Sequence, residues 1–272
     1  MTYEAVCALA IGGLDPGGGA GIAADLRAFA ATGAFGCAAV AVTTIQSTHG
    51  LRAVHVELAS RVYAQVTEVL RHQRVRAIKI GALGNASNAK VVARILDHAN
   101  GVPAVVDTPM LPTQGEARLL ATRAIGVLRK EILPRTTLLT VNADEAQTLV
   151  RHRVKTRTDA RDAALALANA GPRGVLVKGG HLSDVDAVDV LAVGGKIVEF
   201  RARRLRVGPV HGGGCVLASL IAGRLALRPN DDVDMATLVA AVRWAKHVHH
   251  LALARPWDVG GSMLVLVPGS RR

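Results

Sequence analysis

Short runs of β-branched and small apolar residues alternate along this chain with longer segments whose apolar residues recur at helical spacing. Runs of the first kind predict buried strands: "AVCALAIGG" at 5–13, "GCAAVAVTTI" at 36–45, "VRAIKIGAL" at 75–83, "VPAVVD" at 102–107, "RTTLLTVN" at 135–142 and "RGVLVKGG" at 173–180. Segments of the second kind predict helices over 19–33, with Ile22, Leu26 and Phe29 on one face, and over 58–73, 88–100 and 158–171. Two more helices close the chain, near 214–227 and 233–254. The stretch 187–204 reads as a strand pair turning on Gly194-Gly195. No linker, low-complexity segment or repeat divides these units, so a single domain over 1–272 is expected. Strands alternating with helices imply right-handed crossovers and a mostly parallel sheet covered on both faces, an α/β fold.

In such a sheet ligands sit beyond the carboxyl ends of the strands. That rule alone selects Asp15, Gln46, Gly81, Asp107, Asn142 and Lys178, each just after or at the end of a predicted strand.

Composition narrows the class. Half of the 272 residues are hydrophobic, yet no uninterrupted apolar run approaches the ~18 residues of a membrane span. The N-terminus lacks a basic region before its apolar run, so no leader is expected. Cys7, Cys37 and Cys215 are far apart and odd in number, giving neither a disulfide framework nor a zinc spacing. A cytoplasmic protein is the expectation. A net charge of +12 invites nucleic acid as partner, but aromatics make up only 3% and stacking platforms are scarce. The basic run "RARRLR" at 201–206 alternates with Ala202 and Leu205 as an exposed strand would, a solvated face or an edge facing a nucleotide. "KHVHH" at 246–250 reads as a solvated helix face, because i, i+2 and i+3 do not converge.

The chemistry-bearing stretches lie in loops. "GGLDPGGGAG" at 12–21 fails the P-loop spacing and the dinucleotide fingerprint, leaving a glycine-rich turn or a small-molecule pocket in which Asp15 presents a carboxylate. In "NADE", Asn142 and Glu145 follow a strand and could organise a metal, or equally cap a helix. Lys178 ends an apolar strand, where a buried ammonium must snorkel or meet an anion. "HGGGC" at 211–215 puts glycine amides and Cys215 at a helix start, an anion-binding arrangement in which thiol pKa values fall.

Taken together these motifs resemble one family. The stretch from "ALAIGGLDPGGGAG" through "TTIQSTHGL", then "KIGAL" at 79–83, "VVDTPM" at 105–110, "TVNADEA" at 140–146, "VLVKGGH" at 175–181 and "HGGGC" are similar, in order, to hydroxymethylpyrimidine and phosphomethylpyrimidine kinases of the ribokinase-like superfamily. The resemblance covers nearly the whole chain, to about residue 250. It implies a three-layer αβα fold, ATP-dependent phosphorylation of the thiamin pyrimidine and then of its monophosphate, Mg²⁺, and a homodimer without nucleic-acid or membrane partners. It implies roles as well. Cys215, Gly212, Gly213, Gly214 and Lys178 would serve phosphoryl transfer; Asp15, Gly13, Gln46, Ala82 and Pro109 the substrate pocket. Lys178, Asn142 and His181 would meet ATP, and Glu145, Asn142 and Asp107 the metal. Cys215, as thiolate or polarised thiol, would accept or orient the substrate's hydroxyl proton. His181 and His211 accompany the phosphate loops, with turn stabilisation the simpler role for each.

The chain departs from the family pattern at Ala82, Pro109, Thr113-Gln114, Gly208-Pro209-Val210 and Gly213, where the family usually has methionine, valine, Lys-Ser, K-N-T and threonine. These positions surround the expected pocket and phosphate approach. They open two alternatives: a pyridoxine or pyridoxal kinase of the same fold, and a pyrimidine-binding relative with weak turnover. No fused second enzyme is expected after the last helix.

Overall fold

The computed structural model describes residues 4–99, 101–107, 109, 119–228 and 232–269. In chain order its elements are β1 (Cys7–Leu14), α1 (Gly21–Thr32), β2 (Phe35–Ser47), β3 (Gly50–Val56), α2 (Ala59–His72), β4 (Val75–Ile80), α3 (Ala86–His98) and β5 (Ala104–Val106). There follow α4 (Thr122–Val127), β6 (Leu138–Val141), α5 (Ala143–Val150), α6 (Arg157–Ala168), β7 (Gly174–Val177), β8 (Ala187–Val193) and β9 (Lys196–Ala202). Last come β10 (Val210–His211), α7 (Gly213–Ala226), α8 (Met235–Ala254) and β11 (Leu264–Val265).

Among the described residues the main sheet has the order β3-β2-β1-β4-β5-β6-β7-β8-β9. Its centre is parallel from β2 through β7, with β3 and the β8–β9 hairpin antiparallel at the edges. The central strands are apolar on both faces, as a sheet covered on both sides requires. One core packs Leu9, Ile11, Ile78 and Val106 against α2, α3, α5 and α6; the other packs Ala8, Ala10, Val105 and Leu176 against α1, α7 and α8. This is the three-layer arrangement expected from the alternation of periods.

Three differences from the sequence reading have local causes. The edge strand β3 is absent from the expected elements because "GLRAVHV" carries polar residues on an exposed edge. Helix α5 is also absent from the expected elements: it begins at once after Asn142 and, at eight residues, is too short to show a helical period. The segment 122–135 forms α4, a π-helical stretch over Leu128–Ile132 and a 3₁₀ turn over Leu133–Arg135, shortening the strand expected at 135–142. The hairpin turns on Gly194-Gly195, both at positive φ, as expected.

Chain order reverses at β1, whose neighbours are β2 on one side and β4 on the other. Loops leaving β1 and β4 therefore diverge and open a crevice at their carboxyl ends.

Candidate active site

A cavity of about 980 Å³ fills that crevice. Of the six residues selected by the strand-end rule, Asp15, Gln46, Asp107, Asn142 and Lys178 line it. Gly81 lies behind the wall, where a Cβ would come 3.0 Å from Lys79 Nζ.

Two glycine loops meet at its floor. Gly21 opens α1 at φ +55, with Gly13 O only 2.1 Å from where a Cβ would stand. Gly212 precedes α7 at φ +75, its hypothetical Cβ 2.1 Å from Gly19 O. Neither position admits a side chain, so the loops can approach backbone to backbone. Asp15 stitches them together: Oδ1 accepts from Gly17 N at 2.8 Å, Oδ2 accepts from Ala20 N at 2.9 Å, and His211 Nε2 lies 2.8 Å from Oδ2. Burial would raise the Asp15 carboxyl, but His211 and the two amides outweigh it and hold it below its ordinary value. Asp15 thus lines the cavity as expected and organises the loop as well. His211 is buried, its Nε2 also 3.3 Å from Gln46 Nε2, and its Nδ1 has no partner among the described residues. Gln46 Oε1 in turn accepts from Thr44 Oγ1 at 3.2 Å.

The charged centre lies at the ends of β5, β6 and β7. Lys178 Nζ donates to Asp107 Oδ1 at 2.8 Å, and Thr140 Oγ1 donates to the same oxygen at 2.9 Å. Burial opposes both charges. Lys178 and Lys79 nevertheless hold the Asp107 carboxyl below its usual range, and Asp107 and Glu145 hold the Lys178 ammonium above its own. Asn142 and Glu145 form a capping box on α5, with Asn142 Oδ1 accepting from Glu145 N and Glu145 Oε2 from Asn142 N, each at 2.8 Å. The capping alternative is therefore realised, while both residues still face the cavity. Burial, aided by the Asp107 and Asp144 charges, pushes the Glu145 carboxyl up against the pull of Lys178. Among the described residues no group of three or more His, Cys, Asp or Glu gathers as a metal cluster.

Helix α7 presents its uncapped start to this centre. Gly212 offers no side-chain cap, and Val216 N is the first amide to turn inward, onto Gly212 O at 3.0 Å. The amides of Gly213, Gly214 and Cys215 are left without helical acceptors. A Cβ on Gly214 would stand 3.0 Å from Lys178 Nζ, so glycine is what lets amide and ammonium share one space. Burial pushes the Cys215 thiol up to about 11, against the lowering influence of Lys79 and of the Gly21 amide. Desolvation outweighs the helix start and favours the polarised thiol of the two alternatives. Cys7 and Cys37 are buried, as expected of inert cysteines.

Four features escaped the sequence reading. Lys246 and His249 of "KHVHH" turn into the cavity, not into solvent: Lys246 Nζ lies 2.7 Å from Asp189 Oδ2, and His249 Nε2 lies 2.9 Å from Gly213 O. Asp189 Oδ1 also accepts from Gly179 N at 2.7 Å. "RARRLR" leaves β9 at Ala202, and residues 202–205 form cavity wall, in keeping with the edge alternative and not the solvated face; the bonds of Arg204 are the part that escaped. Arg204 reaches the carbonyls of Gly180, Leu182 and Asp184 at 2.5, 2.9 and 3.0 Å, tying down the loop after Lys178. Beneath the glycine loop, Lys79 Nζ meets both Asp25 oxygens at 2.9 and 3.0 Å, and Ser219 Oγ donates to Asp25 Oδ1 at 2.7 Å.

Gly13, Ala82 and Pro109 line the cavity as expected. His181 ends the 3₁₀ turn Gly179–His181. Thr113-Gln114 lies outside the described residues.

Residues 15–266 match the family model described as phosphomethylpyrimidine kinase. The hydroxymethylpyrimidine/phosphomethylpyrimidine kinase of Streptomyces coelicolor is 38% identical over 255 residues, covering 94% of this chain and 91% of its own. That of Escherichia coli is 35% identical over 254 residues, 93% of each. Among solved structures, the phosphomethylpyrimidine kinase of Clostridium difficile superposes with a TM-score of 0.76 at 29% identity, over 91% of this chain and 99% of its own. The pyridoxal kinase of Bacillus subtilis, solved as an ADP complex, gives 0.85 at 24% identity over 97% of both chains, a likeness of fold.

Proposed function

The chain belongs to the phosphomethylpyrimidine kinase family, and on that premise we propose how its cavity moves a phosphoryl group from ATP to hydroxymethylpyrimidine and then to the monophosphate for thiamin diphosphate synthesis. The observation that carries the reading is the uncapped glycine start of α7, within van der Waals reach of Lys178, itself paired to Asp107. Phosphoryl transfer needs positioning and charge neutralisation more than a strong base. The Gly213, Gly214 and Cys215 amides hold the equatorial oxygens of the transferring group, and the Lys178 ammonium balances the charge that gathers there.

Gln46 reads the aminopyrimidine, because one amide can donate to the ring nitrogen and accept from the exocyclic amine. Asp15 keeps the first glycine loop closed behind the ring through Gly17, Ala20 and His211. Gly13, Ala82 and Pro109 shape the pocket wall. Cys215 enters as a thiol and orients that hydroxyl; as the new bond to phosphorus forms, the thiol accepts the hydroxyl proton while passing its own S–H proton to a phosphate oxygen, so it ends the step as a thiol again.

On the nucleotide side Lys178 and Asn142 face the phosphates, while the His181 side chain lies outside the described residues. Asp107, Asn142 and Glu145 suit a magnesium ion, because one buried and one part-buried carboxylate share one lysine and Glu145 is short of a counter-charge. When bound, Mg²⁺ supplies additional neutralisation of the phosphate oxygens. No described helix is long and apolar enough to cross a membrane. We extend the reading to a single-domain cytoplasmic homodimer without nucleic-acid partners.

An ATP-coupled assay with hydroxymethylpyrimidine, its monophosphate and pyridoxal tests the reading. Turnover of the two pyrimidines above pyridoxal is expected. Preference for pyridoxal would make this a pyridoxal kinase, and binding without turnover of any of the three would make it a catalytically weak relative.

A further inference from the structure

The first turn of α7 is built from glycine and carries no side-chain cap, so something outside the helix must fix its backbone. The tie comes from α8. His249 Nε2 lies 2.9 Å from Gly213 O, and since a carbonyl only accepts, the ring proton is on Nε2 and is donated. Across a trans peptide the Gly213 carbonyl and the Gly214 amide point to opposite sides, so fixing one aims the other. Gly214 is the residue whose hypothetical Cβ would meet Lys178 Nζ at 3.0 Å and the Asp107 oxygens at 3.7 and 3.8 Å. The amide being aimed is therefore the one beside the charged centre.

The imidazole suits this task. Burial pulls its pKa down to about 4, reinforced by the Lys246 and Lys178 charges and opposed by the Gly213 carbonyl and Asp189. It remains neutral through the physiological range, adding a single donor and no charge that would compete for phosphate. Position 213 does not need glycine for room: a Cβ there would meet only Val210 Cγ1 at 3.7 Å and His249 Nε2 at 3.8 Å. The chain leaves this position bare and places a ring against its flank.

We propose that His249 is a positioning residue for phosphoryl transfer, its Nε2–H holding the Gly213 carbonyl so that the Gly214 amide faces the transferring group. The kinetic part of this rests on the kinase reading; the geometric part does not.

Two variants isolate the donor. His249→Leu keeps apolar volume and loses the N–H, whereas His249→Gln keeps an N–H at similar reach. The expected result is a kcat for H249L at least ~10-fold down, with both KM values within ~3-fold, and H249Q within ~3-fold of wild type. Amide hydrogen exchange in the peptide spanning 212–217 should speed up in H249L at unchanged Tm, and this readout needs no turnover. Should H249L misfold, His249→Asn, whose shorter side chain cannot span the gap, takes its place. Wild-type kcat and exchange in the donor-less variant would overturn the proposal, as would an H249Q that is folded and equally impaired. Altered exchange with no kinase activity in any form, wild type included, would instead sink the functional reading and leave the tether standing.

Discussion

Lys178 Nζ lies 2.8 Å from Asp107 Oδ1, and both side chains face the space that a Cβ on Gly214 would enter. The pair therefore sits where the ends of β5 and β7 meet the first amides of α7. A lysine whose only task was to neutralise Asp107 could be replaced together with it; a lysine that also meets phosphate could not. Lys178→Met should lower kcat/KM for ATP at least ~10²-fold, the usual cost of removing one preorganised donor to a developing charge. The double variant Lys178→Met, Asp107→Asn should restore folding stability but not turnover. Recovery of turnover by the double variant, in a coupled assay, would reduce the pair to a structural bridge.

Cys215 is expected to behave as a proton-bearing group rather than as a nucleophile. With its thiol pushed up to about 11, alkylation by iodoacetamide should rise about tenfold per pH unit through pH 9 and show no plateau there. Mass spectrometry of the Cys215 peptide reads this directly, and a plateau near pH 7 would restore the thiolate. Cys215→Ala should lower kcat at least ~10²-fold, while Cys215→Ser should lose less, since a hydroxyl can hand the proton on in the same way. Equal losses in both would assign the effect to packing.

Asp15 gives a pH dependence with a fixed sign. Its carboxyl is held below the ordinary value of 3.8, so the stability it contributes is fully present above that value. The contribution is lost as pH falls through the lower folded-state pKa. Urea midpoints of wild type and Asp15→Asn should therefore differ by a constant amount between about pH 7 and pH 5 and converge below about pH 3.8. A gap that stays constant to pH 2, or widens, would detach Asp15 from the His211 contact. Kinetically the same variant should loosen both glycine loops and raise KM for the pyrimidine more than for ATP.

What the sequence made legible follows from periodicity. Alternating periods gave the layered fold, and the strand-end rule then found Asp15, Gln46, Asp107, Asn142 and Lys178 without any knowledge of side-chain contacts. Residues that missed detection are those whose meaning lies across the chain. In "KHVHH" the histidines do not converge on one another, but Lys246 and His249, three apart, reach separate partners on β8 and α7. Arg204 looked like one member of an exposed basic strand because its carbonyl acceptors come from a loop about twenty residues upstream. The fate of Cys215 turned on burial, which a helix-start rule does not contain. Lys79 was hidden in the same way: mid-strand in "VRAIKI", it makes sense only with Asp25, 54 residues earlier.

That last pair carries the final prediction. Lys79 and Asp25 are both fully buried, bonded through two oxygens and backed by Ser219 of α7. Burial opposes the Lys79 charge, yet Asp25 outweighs it and holds the ammonium above its usual range. Desolvation makes such a pair a poor source of net stability, but removing one partner strands the other charge in the core. Lys79→Met alone should cost ~3–5 kcal/mol in urea denaturation, whereas Lys79→Met with Asp25→Leu should recover most of it. The two behaviours separate stability from function. Because Lys79 lines the cavity beneath Cys215, the double variant should fold yet turn over at least ~10-fold more slowly, the positive charge under the anion loop having gone. A double variant that is both stable and fully active would show that the buried lysine serves neither purpose. One as unstable as Lys79→Met alone would mean that the site packs too tightly around the ions to accept apolar replacements.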